Sequence, residues 1–510
     1  MSIEITRRSG LAGLLALAAA PGMARAAGLK GGTLRVAVLA DMHNYDPQQF
    51  TTLNFPLIKN LYDSLIEYAP DGTAIPSLAT AWKIAPDNKS VTLTLRTDVK
   101  FHSGAPLNAE AVLPTLQKGA DPQKGKNVYA TMSVVKDWAA PNPTTLVINF
   151  NAAVPDKQIL DLLQFVSVID PAGIDTIETK AAGTGPFTVA ERVLGQRVRL
   201  VANESYWRAG EPLLNDVVLT VFSDNDSASA ALESGAVDVI YGGNARAAVR
   251  LRDAGHQLIQ GPGPLVQVLR INTTRGPFKN EKFRQAFNHL VDRRAILRVG
   301  YANLGQVTAL PWAPASPAVD KSYDTAYGFD LAKGEALLKA SGLSAAEMSG
   351  WKLTVNAGDQ DAVAISQIVQ STLTRVGVKI DLDMRQGAEF VDAMLTGKFD
   401  VVFGGVGNVQ KFPTRVATNS IYRTAKNPVL GEPHPHPAYV AAIERVNSTF
   451  GSNEDIKAAY ANLNKVMVEA AFAIPTNTFD FGLIVASKKT GGFTADIDNM
   501  LVARTIGFAS

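Results

Sequence analysis

The sequence predicts an α/β chain built as two lobes, and three observations lead there. Its 510 residues exceed what a single hydrophobic core supports, so the chain divides into two or more domains. Between residues 353 and 403, strand and helix signals alternate as β-α-β-α-β, the pattern of a mainly parallel sheet with helical crossovers. Earlier in the chain the strands come in close pairs, which marks a separate, hairpin-rich lobe.

Thr33 to Leu39 alternates and is rich in β-branched residues, so it reads as a strand, and Leu57 to Leu65 reads as a helix. Val91 to Arg96 alternates strictly, and Leu146 to Phe150 is a further strand. Pro155 can start a helix from Asp156 to Phe165. Phe187 to Val193 and Arg197 to Val201, joined around Gly195, form a hairpin. Val217 to Phe222 is a strand, and Ser227 to Ser234 a helix that Asp224 or Asp226 caps and Gly235 ends. Val237 to Tyr241 returns as a strand.

In the second half, Phe283, Phe287, Leu290 and Leu297 share one face of a helix expected from Glu281 to Val299. Pro311, Pro314 and Pro317 break regular structure around Trp312, and Asp330 caps a helix that runs to Lys339. The alternating run then comprises strand Leu353 to Val355, helix Val363 to Val376, strand Val378 to Met384, helix Ala388 to Leu395 and strand Phe399 to Phe403.

The first 26 residues read as an export signal: Arg7 and Arg8, the apolar run Leu11 to Ala20, and the small-residue site Ala24-Arg25-Ala26. That run is far shorter than the roughly 20 residues of a membrane-spanning helix, so it is cleavable rather than anchoring. The arginine pair points to the twin-arginine route. Cleavage removes three arginines and one glutamate and leaves 46 basic and 46 acidic residues. No basic stripe remains to favour nucleic acid. With no cysteine, the chain has no disulfide, thiolate nucleophile or thiolate metal site. The expected location of the mature protein is the periplasm.

The sequence lacks a phosphate-binding GxxxxGK[ST] loop, GxGxxG, HExxH and GxSxG. In Gly183-Thr184-Gly185-Pro186 the proline removes an amide that a phosphate nest needs, so it reads as a structural turn. His434 and His436 are the one metal-like feature; two imidazoles without further donors read better as a solvated proline-rich loop. His43, His102, His256 and His289 stand alone and read as structural, and Trp82, Trp138, Trp207 and Trp351 read as core. Trp312, among prolines and small residues, is a candidate to touch a ligand. No cofactor is expected.

Several stretches occur in a telling order: Asn60-Leu-Tyr-Asp-Ser-Leu65, Tyr68 to Trp82, Leu95 to Leu107 with its Lys-Phe-His-Ser-Gly, and Gly183-Thr-Gly-Pro-Phe187. Asn203-Glu-Ser-Tyr-Trp207, Ala231 to Asp238, Asn272, Phe283-Arg-Gln-Ala-Phe287 with Asp292-Arg293, and Phe399-Asp400 follow. As an ordered set over the mature chain they resemble the family 5 extracellular solute-binding proteins, the oligopeptide, dipeptide and nickel-binding group of ABC importer components. The resemblance implies a type II periplasmic binding fold: two lobes, three domains with mixed sheets, and a ligand cleft between the lobes. Domain I then comprises 27–53, 182–266 and 483–510, the inserted domain II 54–181, and domain III 267–482, after a signal at 1–26. Crossings near Gly261-Pro-Gly-Pro264 and Phe479 to Leu483 would form the hinge. The resemblance also implies a monomer that captures a small peptide or peptide-like ligand and delivers it, without catalysis, to an inner-membrane permease with its ATPase subunits. An opine, sugar oligomer or metal chelate is the alternative ligand, and an exported hydrolase the remote one.

Ligands of open α/β sheets bind beyond the carboxyl ends of parallel strands, which directs attention to Gly404 to Phe412. Gly405 and Gly407 let backbone approach a ligand, and Asn408, Gln410, Lys411 and Arg415 supply donors. In peptide-binding relatives this loop tends to carry an aspartate for the ligand's ammonium group. Here 401 to 412 holds no acid, and Lys411 and Arg415 instead favour a carboxylate or phosphate. Asp41, Asp46 or Asp480 would supply a negative charge from elsewhere.

Overall fold

The computed structural model describes residues 31–509 apart from 43, 51–53, 262, 408–411, 451, 481, 495–497 and 499. The export-signal segment 1–26 lies outside the described residues.

Three sheets carry the architecture. A seven-stranded sheet has the order Gln257–Ile259, Ile484–Ala486, Val239–Tyr241, Thr33–Val38, Asp216–Val221, Arg197–Ala202, Phe187–Val193. Thr33–Val38 runs parallel to both of its neighbours, while the hairpin strands and Ile484–Ala486 pair antiparallel. Its faces are filled by two clusters, one around Leu34, Val36 and Phe187, the other around Ala37, Ile240 and Leu251.

A four-stranded antiparallel sheet, Ala79–Ile84, Ser90–Leu95, Thr145–Phe150 and Val135–Asn142, forms a second unit. Its inward residues Val91, Leu93, Leu146 and Ile148 meet Val112 and Leu116 of helix Ala109–Ala120 in one core. Asn108 caps that helix by accepting the amide of Ala111 at 2.8 Å.

The third sheet has the order Asp381–Arg385, Lys352–Asn356, Val401–Val406, Leu265–Ile271, Ala473–Phe479. The three strands of the alternating run are parallel, as their crossovers require, but two antiparallel strands complete the sheet and make it mixed. Val266 and Val268 face one apolar core and Leu269 and Ile271 the other, as expected for a strand covered on both faces. Leu265 and Val266 already pair in this sheet.

Two helices depart from the sequence reading. The helix expected from Glu281 to Val299 is broken into Glu281–Leu290 and Arg293–Tyr301. Asp292 is the cause: its carboxylate accepts the amide of Ala295 at 2.9 Å and starts a new helix. The helix expected to reach Leu65 spans Phe55–Leu61 instead, because Tyr62 turns extended and carries Asp63 into a buried network.

The chain passes between the first and third sheets at two adjacent places. Ile259 pairs with Ile484 in one sheet, and Leu265 pairs with Phe479 in the other. The connections between them lie side by side. Asp480 ties them, accepting from Gly261 N at 3.3 Å and Gly482 N at 3.0 Å.

Candidate functional site

The parallel strands Lys352–Asn356, Asp381–Arg385 and Val401–Val406 end on one edge of the third sheet. Val401–Val406 delivers Gly405 and Gly407 there. A side-chain carbon at Gly405 would sit 3.4 Å from the Phe479 ring, and one at Gly407 would sit 2.4 Å from Leu265 Cδ2. Gly405 thus has room for an ordinary contact, while at Gly407 a side chain would require the Leu265 tip to move. Asn408, Gln410 and Lys411 lie outside the described residues.

Beneath this edge lies Arg270, 5 % exposed. Its guanidinium donates to the carbonyl of Gly405 and to Ser420 Oγ at 3.4 Å, and no carboxylate pairs with it among the described residues. Burial pulls its pKa below the usual guanidinium range. The buried Arg284 and Arg293 are different: Arg284 donates to Ala470 O, Phe278 O and Lys279 O, and Arg293 to Pro475 O, Asn288 O, Tyr327 O and Asn288 Oδ1. Those two are structural clamps.

Arg415 stands on the short helical turn Pro413–Thr418 and reaches across to the four-stranded unit. Its guanidinium donates to Thr131 Oγ1 and to Asp161 Oδ2 at 3.3 Å, and lies 4.8 Å over the Phe165 ring. Phe165 in turn packs on Phe50 at 5.2 Å, and Phe50 on Phe55 at 5.7 Å. These rings, with Pro47, Ile58 and Met500, line a cavity of about 30 Å³, room for a water-sized guest.

The remaining expected contacts are engaged within the protein. Trp312, 2 % exposed, donates its indole N–H to Asn464 at 2.6 Å. Its ring contributes to a separate cavity of about 120 Å³ with Leu310, Val319, Asp324 and Thr478. Asp480 serves the hinge amides, and Asp46 is buried against Lys118 at 2.6 Å.

The histidine pair corrects the sequence reading of a solvated loop. His434 is buried, and His436 stacks on Phe472 at 4.8 Å with its Nε2 3.2 Å from Thr273 Oγ1. Burial, with Arg284 and His434 nearby, holds His436 down at about 3. Among the described residues, no group of three or more histidines and carboxylates is placed to hold a metal ion.

The motif residues sit elsewhere, in the framework joining the seven- and four-stranded units. Asp63 accepts from Thr184, Tyr206 and Trp207, while Glu67 pairs with Arg208 at 2.8 Å and Arg504 at 3.1 Å. A cavity of about 300 Å³ lies among these groups. Sequence reasoning missed Arg270, Asp161 and Phe165. The first two carried a signal: a lone charge inside the apolar runs Leu265–Ile271 and Ile159–Leu163.

Comparison with known proteins bears on the family and the fold. Residues 73–427 match the family described as bacterial extracellular solute-binding proteins, family 5 Middle. The chain is 27% identical over 383 residues to the nickel-binding periplasmic protein of Escherichia coli K12, covering 71% of this chain and 72% of that one. It is 26% identical over 379 residues to the glutathione-binding protein GsiB of Salmonella typhimurium, covering 72% of each. The solved structure of the ABC transporter-associated periplasmic binding protein DppA from Helicobacter pylori, in complex with peptide STSA, superposes with a TM-score of 0.80 at 20% identity. That match covers 94% of this chain and 99% of the other, and it shows the fold: a type II periplasmic binding protein.

Proposed function

The chain belongs to family 5 of the bacterial extracellular solute-binding proteins, the binding components of ABC importers, and from that footing we propose that it captures a peptide or peptide-like solute between its lobes in the periplasm. It hands the solute on unaltered, as a monomer, to an inner-membrane permease and its ATPase subunits. The observation that carries this reading is the pair of adjacent crossings tied by Asp480, a two-stranded hinge about which the lobes can swing.

In this reading 1–26 is an export signal of the twin-arginine type. The seven-stranded unit (27–53, 182–266 and 483–510) with the inserted unit (54–181) forms the first lobe, and 267–482 the second. The ligand lies against the backbone of Gly405 and Gly407, with Asn408, Gln410 and Lys411 as its donors. A second reading, a non-peptide anionic solute such as an opine or metal chelate, is favoured by Arg270, whose charge no carboxylate offsets among the described residues.

A thermal-shift screen of the mature protein tests both. The probes are glutathione, the tetrapeptide Ser-Thr-Ser-Ala, mannopine-type opines, oligosaccharides and nickel chelates. A solute that binds only the folded form raises the melting temperature with its concentration. Recovery of that solute unchanged supports the reading. Conversion of the solute, or no response from any class, defeats it.

A further inference from the structure

Arg415 belongs to the second lobe by its place in the chain, yet its guanidinium is seated on the inserted unit of the first. It touches Thr131 at the end of helix Lys126–Met132, and Asp161 and Phe165 on helix Asp156–Phe165. The seat is dry: the Arg415 side chain is 11% exposed and that of Asp161 2%. Among the described residues the other ion pair between the lobes, Arg246 with Asp361, is far wetter at 53% and 20%. It also lies where Tyr301, Ala302 and Leu304 already pack the lobes together through apolar contact. A solvated pair of that kind decides little.

Moving the lobes apart lifts the Arg415 guanidinium off the Asp161 carboxylate and returns it to water. Bringing them together without its partner would carry a bare cation into the interface, a heavy penalty for a buried charge. We propose that Arg415 and Asp161 are positioning residues forming a latch: their pairing biases the lobes toward the closed form. The inference rests on the two-lobe solute-binding reading and adds its regulation. Arg415, its charge matched by Asp161, then serves closure and not as the counter-ion of the solute. Phe165 and Thr131 fix the approach, one beneath the guanidinium face and one at its edge.

The chain has no cysteine, so two can be introduced for spin labels without background. Lys136→Cys on the inserted unit and Lys398→Cys on the second lobe replace side chains that are 65% and 63% exposed. Pulsed electron-spin distance measurements on the solute-free full mature chain read the fraction at the short, closed separation. Asp161→Asn and Arg415→Met should each lower that fraction at least tenfold. Asp161→Leu combined with Arg415→Met should restore part of it, because both charges of the pair are then removed together. Melting temperatures check that every variant folds. The proposal falls if the single variants keep the parent's closed fraction, if the double variant stays as open as they do, or if the parent shows no closed fraction. None of these readings involves a solute, so failure of the latch is separable from failure of the transport reading.

Discussion

The carboxylate of Asp63 accepts the indole N–H of Trp207 at 3.0 Å across 144 positions of sequence. The same group takes the hydroxyls of Tyr206 at 2.9 Å and Thr184 at 3.0 Å. Three separate motifs therefore converge on one buried acid. The Trp207 ring is held between the guanidinium groups of Arg96 and Arg208, each 4.3 Å from its centroid. Burial outweighs the donors and keeps the Asp63 carboxyl above the usual range. The motifs are a joint between two sheets.

Asp63→Ala leaves the buried Thr184 and Tyr206 and the half-buried Trp207 without an acceptor, and buried donors cost about 1–3 kcal/mol each when stranded. Relaxation of the site brings the expected loss to about 3 kcal/mol. Asp63→Asn, which keeps one acceptor oxygen, should lose less. Urea unfolding of the two variants beside the parent measures both, and equal losses would show that the hydrogen bonds are not what the carboxylate contributes.

His436 gives a pH dependence of defined sign. Its folded pKa of about 3 lies below the ordinary 6.5, so the folded state prefers the neutral ring. The stability this preference contributes is whole above pH 6.5 and drains away as the pH falls toward 3. His436→Gln, which retains an acceptor for Thr273, should flatten the fall in the urea midpoint between pH 7 and pH 4. An unchanged slope would assign the acid sensitivity to other groups.

At the hinge, Gly263 has φ +77°, and a side-chain carbon there would lie 3.3 Å from the carbonyl oxygen of Phe479. Gly263→Ala should cost about 1–2 kcal/mol for the left-handed backbone. Asp480→Ala removes the acceptor of the Gly261 amide. Hydrogen exchange at Gly261 should then accelerate at least tenfold, while exchange in strand Val401–Val406 stays as in the parent. Uniform acceleration through both lobes would mean that Asp480 stabilises the whole fold instead of the crossing.

Much of the fold was legible because local signals agreed with tertiary need. The alternation in Val91 to Arg96 and the strand-helix run from 353 to 403 each follow from burial on one face or two. The break at Val291 and Asp292 escaped notice because the apolar spacing continues across it; only the capping preference of Asp292 hints at two helices. Arg415 was readable as a donor near a sheet edge, but its partner lies 254 positions away. No spacing rule reaches that far. Trp312 illustrates the opposite limit: its proline-rich surroundings look like a cleft wall, whereas Asn464, 152 positions on, takes its indole into the core.

Strand Ile484–Ala486 lies between Val239–Tyr241 and Gln257–Ile259, one place in from the edge of the seven-stranded sheet. During synthesis Gln257–Ile259 therefore stays without its sheet partner until Ile484–Ala486 has been made, after the whole third sheet. The second lobe can mature while the first still waits for a strand that is made after it. A chain cut short before Ile484 would leave Gln257–Ile259 unpaired and one edge of Val239–Tyr241 open, so the loss would reach back into a part synthesised much earlier.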